Sequence, residues 1–432
     1  MWFDGAAHMS AILETLKIES METLNLSSAE IEPVRYKLYE SRRQNTPALW
    51  YPEANSWLVF RHQDVASLAR SPMVRTDYLV REKISDAMLD ADPSLREIVA
   101  TISRWMVYNE APIHGRLRTF MNRTFDRGYI ERVRERIASI LAPRIEALKG
   151  REEFDFVETL AHPVPAEILA AMLGLDEIEI VDFLRWSDAI ADFMQDFVIS
   201  PVPNRVIAQA TAKQLLEMKA ALREAIAVRR RQPKEDLLTD LACAAGDGGD
   251  AITEEELMLQ LIHLIFGGHK IPQFVLANTL HLLFKNPQYL VHGEDATFDK
   301  ISKIVDESMR VESPIQFITR HAVDDFMLHG ERIKKGQSIY LMLGSANRDA
   351  EVFGDPDTFQ PDAPKRKGIH YGTGPHVCIG AALAGVTIAN ILCNFLQATR
   401  SVEPLYDLNN PEWTRNDTFH GVARMPIKVT YR

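Results

Sequence analysis

The chain has 432 residues, 46% of them hydrophobic and 25% charged, enough for one large core or for two or three average domains. A formal net charge of −11 argues against a general nucleic-acid binder. Its three cysteines, Cys243, Cys378 and Cys393, are far apart and form no CxxC pair, so neither a zinc site nor a disulfide framework is indicated and a reducing, cytoplasmic setting fits.

Met1 to Ser10 has no basic start and no uninterrupted apolar run, so it does not read as a secretory signal. The His8-Met-Ser10 run reads as a cloning remnant, which sets residues 1–10 apart from an otherwise single domain over 1–432. Trp57–Phe60 reads as a short strand. Val133–Leu148 repeats apolar residues at helical spacing and stops at Gly150. Ala208–Arg231 is a second long amphipathic helix, ended by Gln232-Pro233. Gly246–Asp250 is a Gly/Asp loop, after which Thr253 and Glu256 form a capping box. The helix that starts there runs about 30 residues, roughly 45 Å, to Asn286-Pro287. So long and apolar a helix is expected to cross the centre of the molecule. It is not expected to span a membrane, because Gln260, His263, His269, Lys270, Gln273, Asn278 and His281 lie within it. Gln316–Arg320, Phe326–His329 and Ser338–Leu343 read as strands, the last two punctuated by Gly330 and Gly336. No repeat or linker divides the chain, and the fold class expected is mainly α with small β-sheets.

The most informative segment is Tyr371-Gly-Thr-Gly-Pro-His-Val-Cys378-Ile-Gly380, followed by the apolar helix Ala381–Leu396. Its glycines let the backbone turn tightly and approach a flat ligand. A cysteine at a helix start has amide N–H groups directed at its sulfur, which favours the thiolate. A phosphate loop is not supported, because no Gly-Lys-Ser/Thr follows Gly372 and Gly374 and Val377 occupies the last glycine position of GxGxxG.

The loop resembles the haem-binding signature of the cytochrome P-450 superfamily, an aromatic residue, then x-x-Gly-x-x-x-Cys-x-Gly. Gly374, Cys378 and Gly380 match it, and Tyr371 stands where phenylalanine is usual. Other parts of the family pattern follow in order. Glu307-Ser-Met-Arg310 resembles the Glu-x-x-Arg helix that locks the core behind the haem, although such a pair alone also suits a solvated helix face. Ala346-Asn-Arg-Asp349, Phe353, Pro356 and Phe359 resemble the meander before the cysteine loop. Pro112-Ile-His114-Gly-Arg-Leu-Arg118 resembles the helix crossing the haem edge. The resemblance implies a cytochrome P-450 fold and haem b (protoporphyrin IX iron) with Cys378 as its axial thiolate. Tyr371, Gly372 and Gly380 would lie around the haem, with His114, Arg118, Arg320 and His376 toward its propionates.

One departure bears on the reaction. Oxygen-activating members carry an acid and an alcohol in the long central helix, which help deliver protons for O–O cleavage. Alignment on Gly267-Gly268-His269 puts Lys270 at the acid position and Ile271 at the alcohol position, followed by Pro272. Proline lacks an N–H and crowds the carbonyl of Gly268, so the helix is expected to open or kink there. Gly268, His269, Lys270 and Ile271 are the candidate catalytic stretch. Three readings stay open: a monooxygenase whose protons come from substrate and water, a peroxide-using enzyme in which Lys270 holds an anionic substrate, and an isomerase, lyase or group-transfer enzyme. The altered stretch also suits a plain enlargement of the pocket, and His269 suits a structural role.

By the same resemblance, four regions shape the substrate: the loop after Met73, the helical pair around Phe183–Ile207, Ile315-Gln316-Phe317, and the turn at Thr418-Phe419. Ile265, Phe266, Ile271, Ile315, Phe317 and Phe419 give an apolar lining, and Gln316 a polar handle. The expected substrate is a medium or large, mostly apolar small molecule, with natural-product tailoring as the setting. No reductase sequence is present, so ferredoxin and ferredoxin reductase would be separate partners. The basic run of Arg116, Arg118, Arg123, Arg127, Arg132, Arg134 and Arg136 suits an acidic ferredoxin, and equally a solvated helix face.

Overall fold

The computed structural model describes residues 31–77, 84–122, 127–175, 177–199, 203–246, 252–364, 368–414 and 418–432. Residues 1–10 and most of the Gly246–Asp250 loop lie outside them. The longer helices are α1 (Arg35–Asn45), α2 (His62–Leu68), α3 (Asp86–Ala91), α4 (Pro93–Ile102), α5 (Ile113–Asn122), α6 (Arg127–Leu148), α7 (Pro163–Leu173) and α8 (Ile180–Ile199). They continue as α9 (Arg205–Arg231), α10 (Leu237–Ala244), α11 (Glu254–Lys285), α12 (Phe298–Val311) and α13 (Ala381–Gln397). Helices dominate and the sheets are small, as the sequence leads one to expect.

Local chemistry sets the helix ends. Asp92 caps α4 by accepting from the backbone N–H of Ser94 and Leu95, with Pro93 in the first turn. Asn204 caps α9 through the N–H groups of Val206 and Ile207. At α11 the Thr253 hydroxyl accepts from Glu256 N–H and the Glu256 carboxylate from Thr253 N–H, completing the capping box.

Helix α11 is the axis of the molecule. The apolar residues from Leu257 to Phe266, with Phe274, belong to one hydrophobic cluster, and those from Val275 to Phe284 belong to a second. Its helical run continues through Pro272, against the expected opening. The residue whose carbonyl the proline ring crowds is Gly268, and both halves of the helix are clamped by their own clusters. Among the described residues no helix is long and apolar enough to cross a membrane.

The strands are β1 (Ala48–Tyr51), β2 (Ser56–Val59), β3 (Val74–Arg75), β4 (Glu153–Asp155), β5 (Ile318–Ala322), β6 (Phe326–Leu328), β7 (Glu331–Ile333), β8 (Ser338–Leu341), β9 (Thr399–Pro404) and β10 (Pro426–Tyr431). They form a five-stranded sheet β1-β2-β8-β5-β3, a three-stranded sheet β4-β10-β9 and the hairpin β6-β7. Gln316 and Phe317 fall outside β5. The Gln316 amide donates to the Ser313 carbonyl at 2.8 Å, and its backbone N–H donates to the Thr418 carbonyl at 2.7 Å. Ile315 pairs with Phe419 in an isolated bridge, which brings the Thr418-Phe419 turn against this segment.

Candidate active site

The cysteine loop is closed by its own backbone. Gly372 and Gly374 have φ of 72° and 79°, values that side chains resist. A Cβ on Gly374 would also lie 2.8 Å from Arg70 Cγ and 2.9 Å from the Ala69 carbonyl. The Cys378 N–H donates to the Tyr371 carbonyl at 2.9 Å. Helix α13 begins just after Gly380. The Cys378 sulfur is open to a cavity deep in the protein. Burial pushes its thiol up, and the Gly380 N–H and Arg118 oppose this in part. The Tyr371 ring lies 4.8 Å from the His370 ring. Its hydroxyl points toward Gly385 of α13, where an added Cβ would be 3.8 Å away.

Behind the loop, Arg310 donates to Glu307 at 2.6 and 2.8 Å. It also donates to the carbonyls of Asn347 (3.1 Å), Pro356 (2.7 Å) and Thr358 (3.1 Å). Glu307 accepts in turn from the Gln360 N–H at 3.0 Å. One buried ion pair on α12 therefore organises the whole approach to the cysteine loop. Arg348 reinforces it through Glu312 and Asp357.

At the edge of the cavity, α5 brings in His114 and Arg118, and β5 brings in Arg320. The His114 and His376 rings lie 4.2 Å apart. Burial first, then the charges of His376 and Arg118, push His114 down to about 4. Burial pushes Arg320 down to about 10. Its side chain donates to the Thr319 carbonyl. Glu110, which sequence reasoning missed, accepts from Thr76 at 2.9 and 3.1 Å and lies 3.4 Å from His376. Burial pushes its carboxyl up, but His376 and Thr76 outweigh this and hold it at about 2. His114 Nε2 and His376 Nδ1 are buried without hydrogen-bond partners.

The cavity has a volume of about 380 Å³. Its roof on α11 is Phe266, Gly267, Gly268 and Ile271, and Ile315, Phe317 and Phe419 form part of its walls. A Cβ on Gly267 would meet nothing within 4 Å, whereas one on Gly268 would lie 2.8 Å from Leu169. Four predicted residues do not line the cavity. Ile265 packs in the core. Gln316 is fully buried between Ser313, Tyr39 and Gly344. His269 is buried against α8, with Nδ1 2.9 Å from the Ser187 hydroxyl and Nε2 2.9 Å from the His162 carbonyl. Lys270 Nζ donates to Asp188 of α8 at 2.7 Å. Burial raises the Asp188 carboxyl, but His162 and Lys270 outweigh it and hold it well below the usual carboxylate range. Three residues that sequence reasoning passed over do line the cavity: Trp105, Tyr108 and His263. His263 precedes Gly267 by four, the spacing that continues the Gly267–Ile271 face, and that spacing is the signal that finds it.

Of the basic run, Arg116 is spent on Glu256 at 3.0 Å and Arg134 lies 4.0 Å over the Phe298 ring. Arg123 and the side chains of Arg127 and Arg132 lie outside the described part.

The family model for cytochrome P450 matches residues 56–291 and 301–413. The chain belongs to the cytochrome P450 family. Among its relatives, cytochrome P450 109 of Bacillus spizizenii is 27% identical over 412 residues, covering 95% of each chain. The polyketide biosynthesis cytochrome P450 PksS of Bacillus subtilis is 25% identical over 386 residues, covering 87% of this chain and 89% of its own. The structure of cytochrome P450 CYP109Q5 from Chondromyces apiculatus superposes with a TM-score of 0.81 at 24% identity, over 95% of this chain and 99% of that one. P450 enzymes are haem-thiolate oxidoreductases. The residues of this P450 fit such a group. The Cys378 thiol opens onto the cavity, His114 and His376 nitrogens without hydrogen bonds and the buried Arg320 cation stand at one edge where anions would suit them, and Gly380 leaves room beside the sulfur.

Proposed function

We propose that this P450 is a monooxygenase, one domain throughout, that tailors a medium or large, mostly apolar natural product in the cytoplasm. The observation that carries this reading is the Cys378 sulfur facing an apolar cavity roofed by Gly267, Gly268 and Ile271. In this reading the Cys378 sulfur would hold the iron of haem b, and His114, Arg118, Arg320 and His376 would pair with its propionates, giving the unbonded His114 and His376 nitrogens and the buried Arg320 cation anionic partners. Tyr371, Gly372 and Gly380, which line the same cavity, would flank the ring. A bound haem would supply the oxidising chemistry, and the Cys378 thiolate would donate electron density to its iron. Electrons come from a separate ferredoxin and ferredoxin reductase. Relatives with biosynthetic names, such as PksS, support the natural-product setting.

The roof supplies no acid. Among the described residues that line the cavity there is no Asp or Glu, and Ile271 replaces an alcohol. Pro272 has no N–H for the Gly268 carbonyl, which leaves that oxygen as an acceptor for a proton-carrying water. Lys270 holding an anionic substrate, the basis of the peroxide reading, loses support because its ammonium is committed to Asp188. The same apolar roof favours a second reading, an isomerase, lyase or group-transfer enzyme that needs no proton relay. Host extract incubated with the enzyme decides between them by mass spectrometry. A feature that gains oxygen or loses hydrogen only with air, NADH and a surrogate ferredoxin pair is the expected outcome. Conversion without air or reductant would overturn monooxygenation.

A further inference from the structure

The end of the cavity toward the start of α11 is not uniformly apolar. Trp105 stacks on His263 with centroids 4.9 Å apart and planes 9° from parallel, and on Tyr108 at 6.4 Å and 17°. Phe266 completes the stack at 5.8 Å from Trp105. No described residue gives the His263 ring nitrogens or the Tyr108 hydroxyl a hydrogen bond, and both side chains line the cavity. A ligand that fills the cavity displaces water from such groups and must replace the hydrogen bonds they lose. Both polar groups face the cavity, where a ligand can supply that partner.

We propose that His263 and Tyr108 orient the substrate, and that the substrate is an apolar molecule bearing one uncharged hydrogen-bonding group of the amide or hydroxyl class. This deepens the P450 reading above and rests on it. Burial alone pushes His263 down to about 4, so at neutral pH it presents one N–H donor and one acceptor nitrogen. An amide or hydroxyl satisfies both, whereas a carboxylate would be buried without a cation. The cavity's cations, Arg118 and Arg320, group with His376 and Glu110 and are taken by the propionates in the reading above. His263 lies four residues, about 6 Å, before Gly267 and about 12 Å before Ile271 along α11. A polar group held there leaves the apolar body under the glycine roof, so the carbon that reacts is several bonds away from the polar group.

The test titrates the haem-loaded enzyme with matched straight-chain probes, octanamide to hexadecanamide, the corresponding chlorides and the corresponding carboxylic acids, following the haem absorption shift. At the best chain length the amide should bind more tightly than both the chloride and the acid. His263→Phe keeps the ring stack and should weaken amides about tenfold while changing chlorides less than about twofold. Tyr108→Phe should lower the same amide-to-chloride ratio. The proposal is overturned if no amide outbinds its chloride, if the acids bind best, or if the ratio is unchanged in whichever variant folds. The ferrous–CO band of the wild type separates the two readings. Its absence would defeat haem-thiolate ligation, while its presence with an unchanged ratio would defeat only the orienting pair.

Discussion

On the cysteine side of the cavity, Arg310 alone reaches Glu307 and three backbone carbonyls, and the loop it supports is closed by the Cys378–Tyr371 hydrogen bond. On the roof side, Gly267, Gly268 and Ile271 offer no polar side chain, and the neighbouring polar residues His269 and Lys270 are tied to Ser187, His162 and Asp188 outside the cavity. Charge-assisted, directional bonds permit one geometry, so the first side fixes where a ligand atom sits. Apolar contacts are non-directional. The second side therefore selects by shape and by the few polar groups left exposed on it.

The contrast is broken most completely by Cys378→Ala. The long-wavelength ferrous–CO band should vanish outright, because no other described cysteine approaches the cavity. An unchanged band would sink the ligand assignment. Next comes Arg310→Met, which leaves the buried Glu307 carboxylate and three carbonyls without their donor. Breaking such a pair costs about 3–5 kcal/mol, to be read from urea unfolding. On the roof, Ile271→Val removes one methylene and should cost about 0.5–1.5 kcal/mol. Equal losses in these two variants would void the distinction between a bonded side and a packed side.

Acid should loosen the molecule through the two halves of α11. Burial pushes His269 down to about 3 and His281 to about 4, against about 6.5 in an unfolded chain. Above pH 6.5 both are neutral in either state and contribute no pH dependence. Below it the unfolded chain takes up protons that the folded one refuses, so stability falls, by about 1.4 kcal/mol per histidine per pH unit down to the folded values. Urea unfolding at pH 7 and pH 5 reads this directly, and His281→Gln should recover about 2 kcal/mol of the loss. A variant with the full wild-type loss would show that His281 is not held neutral.

The cysteine side was the more legible in sequence, and the reason is physical. Its parts are local: glycines at positive φ, a cysteine before a helix, and a Glu and Arg three apart that must meet on one face. Gln316, in contrast, is polar and sits among pocket residues, yet its amide is spent on Ser313 because the chain there turns instead of extending. Lys270 lies two residues from a lining glycine. Its direction is set by Asp188, a partner 82 residues earlier in sequence that no local pattern announces. Trp105 and Tyr108 come from a segment without a motif, and only the fold stacks them on His263. The strand β10 was legible in principle, since buried Ile427 and Val429 alternate with exposed Lys428 and Thr430.

The smallest effect is expected at the most conspicuous departure. In Lys270→Met, Asp188 keeps His162 at 3.2 Å, and with 38% of its side chain exposed it also keeps water. Methionine retains an apolar stem along α11. The tie between α8 and α11 should weaken by no more than about 1 kcal/mol. Product formed per reducing equivalent should stay within about twofold of wild type, since the ammonium does not face the cavity. A proton donor at this position would instead give a loss of roughly a hundredfold or more. Such a loss would mean that Lys270 leaves Asp188 during the reaction and that the roof becomes polar when it works. Near-equality of variant and wild type would instead make the lysine a rivet between two helices. The source of protons would then be sought in the cavity, in water held by the Gly268 carbonyl and in the substrate itself.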